Sequence, residues 1–182
     1  MKRSVIAATV LASLFMSAGS FAAEGSTEGQ LTINGKVTET TCQFLSGSEN
    51  TTISMSEIGR DQFENVEVGS PVTTYSNTTS LPLKVKCTGG KEPRITFSST
   101  QFEGTDSNII RNTGDASGVG FAVFLGKGTD SSNRISGNRP IKLTSTTNGE
   151  HELHFTAQYA KTAVDVGTGE VSSAITMTVV TD

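Results

Sequence analysis

Few side chains in this 182-residue chain are of a type that does chemistry. Cys42 and Cys87 are its two cysteines, both at strand-like positions. In an oxidising compartment one bond between them is expected, closing a loop of about 45 residues and contributing about 4 kcal/mol by chain-entropy reasoning. A metal pair or a redox dithiol fits worse, because there is no CxxC spacing and no complete ligand set. His151 and His154 are three apart, so on a strand they face opposite ways and do not converge on a metal; they read as surface or strand-face residues. Asp106, Asp115 and Asp130 sit in Asn-rich loops without the twelve-residue spacing of an EF-hand, and read as solvated turns. Ser117, between Ala116 and Gly118, is not in a GxSxG elbow, and no histidine is indicated to orient it. Asn50-Thr-Thr and Asn77-Thr-Thr match the glycosylation pattern but carry little weight in so Thr-rich a chain. Tyr75, Phe63 and Phe102 suit an exposed aromatic contact or a core role. No catalytic set, metal or cofactor is expected, and the chain reads as non-enzymatic.

The elements that would carry these residues begin after a leader. Lys2 and Arg3 precede an apolar run, and Ser20-Phe21-Ala22 supplies small residues before a cleavage site at Ala23, which predicts a signal peptide over residues 1–22. About 160 residues remain, enough for one domain with a full core, placed outside the cytoplasm. The whole chain has 14 Lys+Arg against 18 Asp+Glu, a net charge of −4. Removing Lys2 and Arg3 leaves 12 against 18, or −6. The cations form no stripe, so nucleic acid is not an expected partner.

Period-two alternation recurs through the remainder, which argues for an all-β domain. Leu31 and Ile33 share one side of an extended segment that leads into Cys42. Ile53 and Met55 alternate with hydroxyls; Leu81, Leu83, Val85 and Cys87 share a face opposite Lys84 and Lys86. Ile95 and Phe97 continue the pattern, and the Gly- and Asn-rich residues 99–118 read largely as loop despite Ile109 and Ile110. Val119, Phe121, Val123 and Leu125 oppose Ala122 and Phe124, which predicts either that both faces are covered or that the strand is locally twisted. Asn148-Gly149 reads as a hairpin turn into a strand carrying Leu153, Phe155, Ala157 and Tyr159. Residues 171–180 read as the closing strand. Eight or so strands in two facing antiparallel sheets would hide one apolar face each.

Several separated pieces together resemble one family, the structural subunits of bacterial fimbriae assembled by the chaperone–usher pathway, and in particular the type 1 major subunit. They are the leader, Gly29-x-Leu-x-Ile-x-Gly35 ahead of Cys42, the strand closing on Cys87, Ala116-Ser-Gly-Val-Gly120, Phe155-x-Ala-x-Tyr159, and the last strand through Met177 and Val179. Their order spans nearly all of the chain after the leader.

The resemblance implies an immunoglobulin-like pilin sandwich that lacks its final strand and is completed by donor-strand complementation. It divides the chain into a signal peptide (1–22), a donor extension (23–34) and a pilin domain (35–182). Thr27, Gly29, Leu31 and Ile33 would point into a neighbour's groove, Gly29 being the family's small residue, and Ile175, Met177 and Val179 would line the acceptor groove. The carboxylate of Asp182 would anchor the subunit in a periplasmic chaperone. Thr181 departs from the penultimate tyrosine common in the family. The partners so implied are neighbouring subunits, the chaperone, an outer-membrane usher and a host receptor. The expected function is a filament subunit used in adhesion at the bacterial surface; the alternative is a minor tip or adaptor subunit, or a single-domain adhesin. A third reading is a monomer whose Leu31 strand folds onto its own domain. No second, receptor-binding domain is expected ahead of Cys42.

Overall fold

The computed structural model describes residues 42–88, 93–144, 146 and 148–181. The leader, the extension with Thr27, Gly29, Leu31 and Ile33, and Asp182 lie outside the described residues. In chain order the strands are β1 (Cys42–Phe44), β2 (Pro71–Thr78), β3 (Leu83–Cys87), β4 (Pro93–Phe97), β5 (Phe102–Glu103), β6 (Ile109–Arg111), β7 (Val119–Leu125), β8 (Ile141–Lys142), β9 (Glu150–Leu153), β10 (Phe155–Lys161) and β11 (Met177–Thr181). They form three antiparallel sheets, ordered β1-β3-β9, β2-β10-β7-β6-β5 and β11-β4-β8.

Alternation builds the core as expected in β3, and β9 beside it follows the same pleat. Leu83, Val85, His151 and Leu153 turn inward, while Lys84 and Lys86 meet Glu152 and Glu150 across the solvent face, each pair at 2.9 Å. The Cys42–Cys87 disulfide closes between directly opposed positions of β1 and β3. Inward-facing His151 differs from the surface reading: it opposes Val85 on the core face, where strand periodicity places it.

The alternation from Leu153 to Tyr159 is one pattern but two strands. At His154 the chain leaves the β3 sheet and enters the five-stranded one, and all seven residues of β10 are buried because β2 and β7 flank it and both faces are covered. Leu143, Ile95 and Phe155 join Leu83 and Val85 in the main core, and Ile109, Ala122, Phe124 and Ala160 form a second apolar layer on the far face. Ala122 and Phe124 thus cover the second face of β7, the first of the two outcomes its sequence predicts.

Several expectations are corrected. Residues 99–118 hold the paired strands β5 and β6, with Ile109 and Ile110 both buried; strands of two and three residues are too short to display a period. Leu81 is 70% exposed, since the strand begins only after Pro82, which has no amide to give a ladder. The turn at Gly149 is not a hairpin: β8 pairs with β4, β9 pairs with β3, and the turn carries the chain between sheets. Strand β2, which opens at a proline, and the three-sheet arrangement are not marked by the sequence pattern. Residues 171–176, expected within the closing strand, carry no strand pairing, which β11 resumes at Met177.

Candidate functional site: an open two-walled cleft

Two stretches with strand-like patterning stay out of every sheet. In residues 51–58, Ile53, Met55 and Ile58 are half-buried between exposed Thr52, Ser54 and Ser56. In residues 171–176, Val171, Ser173 and Ile175 are half-buried between exposed Ser172, Ala174 and Thr176. Each is therefore an extended segment with one face on the core. A cleft opens between them.

Its first part is a cavity of about 420 Å³ walled by Ile53, Met55, Ser173, Ile175 and Met177 and floored by core residues Leu83, Phe97, Ile110, Phe121, Val123, Phe155 and Ala157. A second cavity, of about 430 Å³, is lined by Met55, Ile58, Phe63, Val119, Tyr159, Val166 and Val171. Met55 lines both, so they are successive parts of one cleft between the same two walls.

The hydrogen bonds of the walls explain why the cleft is open. On the second wall, Glu170 O accepts from Ala116 N at 3.0 Å and Ser172 O from Thr113 N at 2.7 Å. Ser172 N donates to Asn112 Oδ1 at 2.9 Å, Ala174 O accepts from Gln101 Nε2 at 3.2 Å, and Thr176 N donates to Gln101 Oε1 at 2.9 Å. Every backbone group so bonded belongs to an even-numbered residue, while odd-numbered Ser173 bonds through its side chain, Oγ donating to Arg111 O. On the first wall Ser54 O accepts from Asn77 Nδ2 and Ser56 O from Tyr159 Oη, again even-numbered. Successive residues of an extended chain direct their N–H and C=O to opposite edges. The backbones of Ile53, Met55, Val171, Ser173 and Ile175 therefore turn toward the cleft, and no hydrogen bond joins them to other described residues.

Tyr159 stands at the junction of wall and floor. Its ring lies 6.5 Å from Phe63 in an edge-on contact and 5.3 Å from Phe121. Burial raises the pKa of its phenol, with Glu57 adding to the rise, so it is a neutral donor at physiological pH. Lys161, buried, donates Nζ to Phe63 O at 2.9 Å and fixes the short helical turn Arg60–Phe63 at the end of the cleft.

Chemically the cleft offers apolar surface and two rows of backbone groups. Among the described residues no group of three or more His, Cys, Asp or Glu side chains is placed to hold a metal. The arrangement suits an extended segment bearing alternate apolar side chains.

Of the residues expected to line a groove, Ile175 and Met177 line the first cavity. Val179, half-buried, packs on the main core beyond the cavity lining. The residues that sequence reasoning passed over are Ile53, Met55, Val171 and the Tyr159 hydroxyl. The alternation of Ile53 and Met55 was legible, but it marks a half-buried face and does not reveal an open edge.

The chain matches the Fimbrial protein family over residues 31–181. It is 35% identical over 189 residues to an uncharacterized fimbrial-like protein, YehD, of Escherichia coli (strain K12), covering 100% of both chains. Its fold is similar to that in a solved structure of a chaperone–usher pilus, with a TM-score of 0.55 at 16% identity over 85% of this chain and 96% of that one.

Proposed function

Because the chain belongs to the Fimbrial protein family of chaperone–usher pilus subunits, we propose that it polymerises head to tail by donor-strand exchange, residues 23–33 of one copy lying in the cleft of the next. It is a structural subunit of a surface filament, with an all-β, immunoglobulin-like fold. The observation that carries the proposed assembly is the cleft itself: a floor of core side chains between two walls whose inner backbone edges have no partner among the described residues. A strand laid there gains main-chain bonds on its edges and seats alternate side chains on the floor.

The dimensions agree. On the second side the lining runs from Val166 through the wall to Met177, a span of at most about 40 Å, and residues 23–33 reach about 36 Å at roughly 3.3 Å each. Leu31 and Ile33 fall on one face of the incoming segment, and burying them contributes about 1.5–3 kcal/mol each before ordering costs. Gly29 and Thr27 extend the same face with little bulk. The donated and accepting surfaces differ, so the contact repeats as an open filament and does not close on itself. Before assembly a periplasmic chaperone occupies the cleft and holds the Asp182 carboxylate, and an outer-membrane usher exchanges it for the next subunit.

The test uses the full-length oxidised chain carrying Leu31→Arg and Ile33→Arg, which disable its own extension. Its thermal unfolding is measured with a peptide of residues 23–33, and with the same peptide carrying both arginines. A rise in Tm with the native peptide alone is expected. No rise, together with a wild-type chain that stays a stable monomer, would sink the proposal.

A further inference from the structure

Among the described residues no strand pairs with the outer edge of the first wall, and two side chains act in place of one. Asn77, at the end of β2 that opposes Ala157, donates Nδ2 to Ser54 O, while its Oδ1 accepts from Thr78 N at 2.8 Å, which sets the direction of the amide. Tyr159, on β10, donates its hydroxyl to Ser56 O at 2.9 Å from a ring braced between Phe63 and Phe121. Ser54 and Ser56 are two apart, so both carbonyls leave the same edge. Holding them outward keeps the backbones of Ile53 and Met55 turned into the cleft.

We infer that Asn77 and Tyr159 are positioning residues that hold residues 51–58 open and in strand register, so that an incoming strand meets two prepared edges. This rests on the proposal that the cleft accepts residues 23–33. The physical alternative for the wall is collapse. It carries Ile53 and Met55 above an apolar floor that includes Leu83, Val123 and Phe155, and sinking onto that floor would remove apolar surface from water. The two bonds oppose that movement. If they are lost, the open form is only a fraction of the population, and binding weakens and slows by that fraction. Tyr159 has the larger share, because its bond is part-buried while that of Asn77 is exposed to water.

The experiment takes the full-length oxidised chain with Leu31→Arg and Ile33→Arg as parent, and adds Tyr159→Phe or Asn77→Ala. Association of a labelled 23–33 peptide is followed by stopped flow, and amide exchange at Ile53 and Met55 is read in the peptide-bound state. The association rate is expected to fall about five-fold for Tyr159→Phe and about two-fold for Asn77→Ala, with faster exchange at both amides. Dissociation should change less. Asn77 is exposed, so its variant keeps the test valid even if Tyr159→Phe folds poorly. Unchanged association and exchange beside a lowered Tm would mean that the bonds only stabilise the fold, and would overturn the inference alone. Failure of the parent to bind peptide would overturn it together with the reading beneath it.

Discussion

Cys42 and Cys87 face each other in register across β1 and β3, their Cα atoms 4.0 Å apart, so the disulfide fastens the strand that leads into the first wall to a strand of the main core. Among the described residues beyond β1, Leu45 N donates to Lys84 O, Ser48 bonds back to Leu45 and reaches Lys84 O, and Thr51 Oγ1 donates to Leu81 O at 2.8 Å where the chain enters the cleft wall. The covalent tie acts together with these bonds and the β1–β3 ladder to restrain that end.

Replacing both cysteines with serine is expected to cost about 2–5 kcal/mol of stability, the range for a native bridge in a small exported domain. Equilibrium urea unfolding of the double variant against the oxidised parent measures it. A cost below about 1 kcal/mol would show that the ladder holds β1 without the bridge.

Gly118 tests how the root of the second wall is held. Its φ is +70°, and a Cβ there would collide with the Asp165 carbonyl, so the approach of residues 163–170 to residues 114–118 depends on its missing side chain. Gly47, with φ +78° and nothing near its Cβ position, is the control. Gly47→Ala should cost about 1–2 kcal/mol, the left-handed penalty alone, and Gly118→Ala clearly more. Equal costs in chemical denaturation would remove the close approach from the account.

The Lys84–Glu152 pair, 2.9 Å apart across β3 and β9, gives a pH dependence with a definite sign. Its hydrogen bond and charge attraction lower the Glu152 pKa from 4.5 and raise that of Lys84 from 10.5. The Glu152 contribution is present above the ordinary carboxylate pKa and fades as pH falls through the lowered folded value. The Lys84 contribution is present below 10.5 and fades as pH rises through the raised folded value. Both groups are exposed, so the effect is small and screened by salt. Glu152→Gln should flatten the acid side of the stability profile at low salt, and an unchanged slope there would assign that slope to other carboxylates.

Much of this fold was legible because half-buried strands print their pleat on the sequence. Leu83, Val85 and Cys87 showed a core face, and the doubly apolar run from Val119 to Leu125 suited either two covered faces or a local twist, of which the structure has the first. Other parts left no such print. Ile109 and Ile110 lie in a three-residue strand amid Gly and Asn, and the switch of sheets at His154 interrupts pairing without interrupting alternation. The cleft was half visible: Ile175 and Met177 alternate as a groove wall must, but the same pattern suits a fully paired strand. What distinguishes the two is where the backbone bonds go, and that depends on Asn112, Gln101, Asn77 and Tyr159, distant in sequence and polar for reasons the local pattern does not state.

A pair of substitutions separates cleft from core. Ile175 is half-buried on the cleft wall, whereas Leu83, 1% exposed, lies beneath it in the floor. Leu83→Ala removes packed core and should cost about 2–5 kcal/mol in the empty chain. Ile175→Asp gives up the half-buried packing of one side chain on the main core, and its carboxylate can turn to water while the cleft is empty, so the empty chain should lose about 1–2 kcal/mol. A strand laid over it would bury that charge with no cation to meet it, at a far higher cost. The expected result is a well-folded Ile175→Asp chain whose Tm no longer responds to the 23–33 peptide, and which forms no filaments when co-expressed with chaperone and usher. If instead the peptide raises its Tm as it does for the parent, the second wall is not where the strand lies.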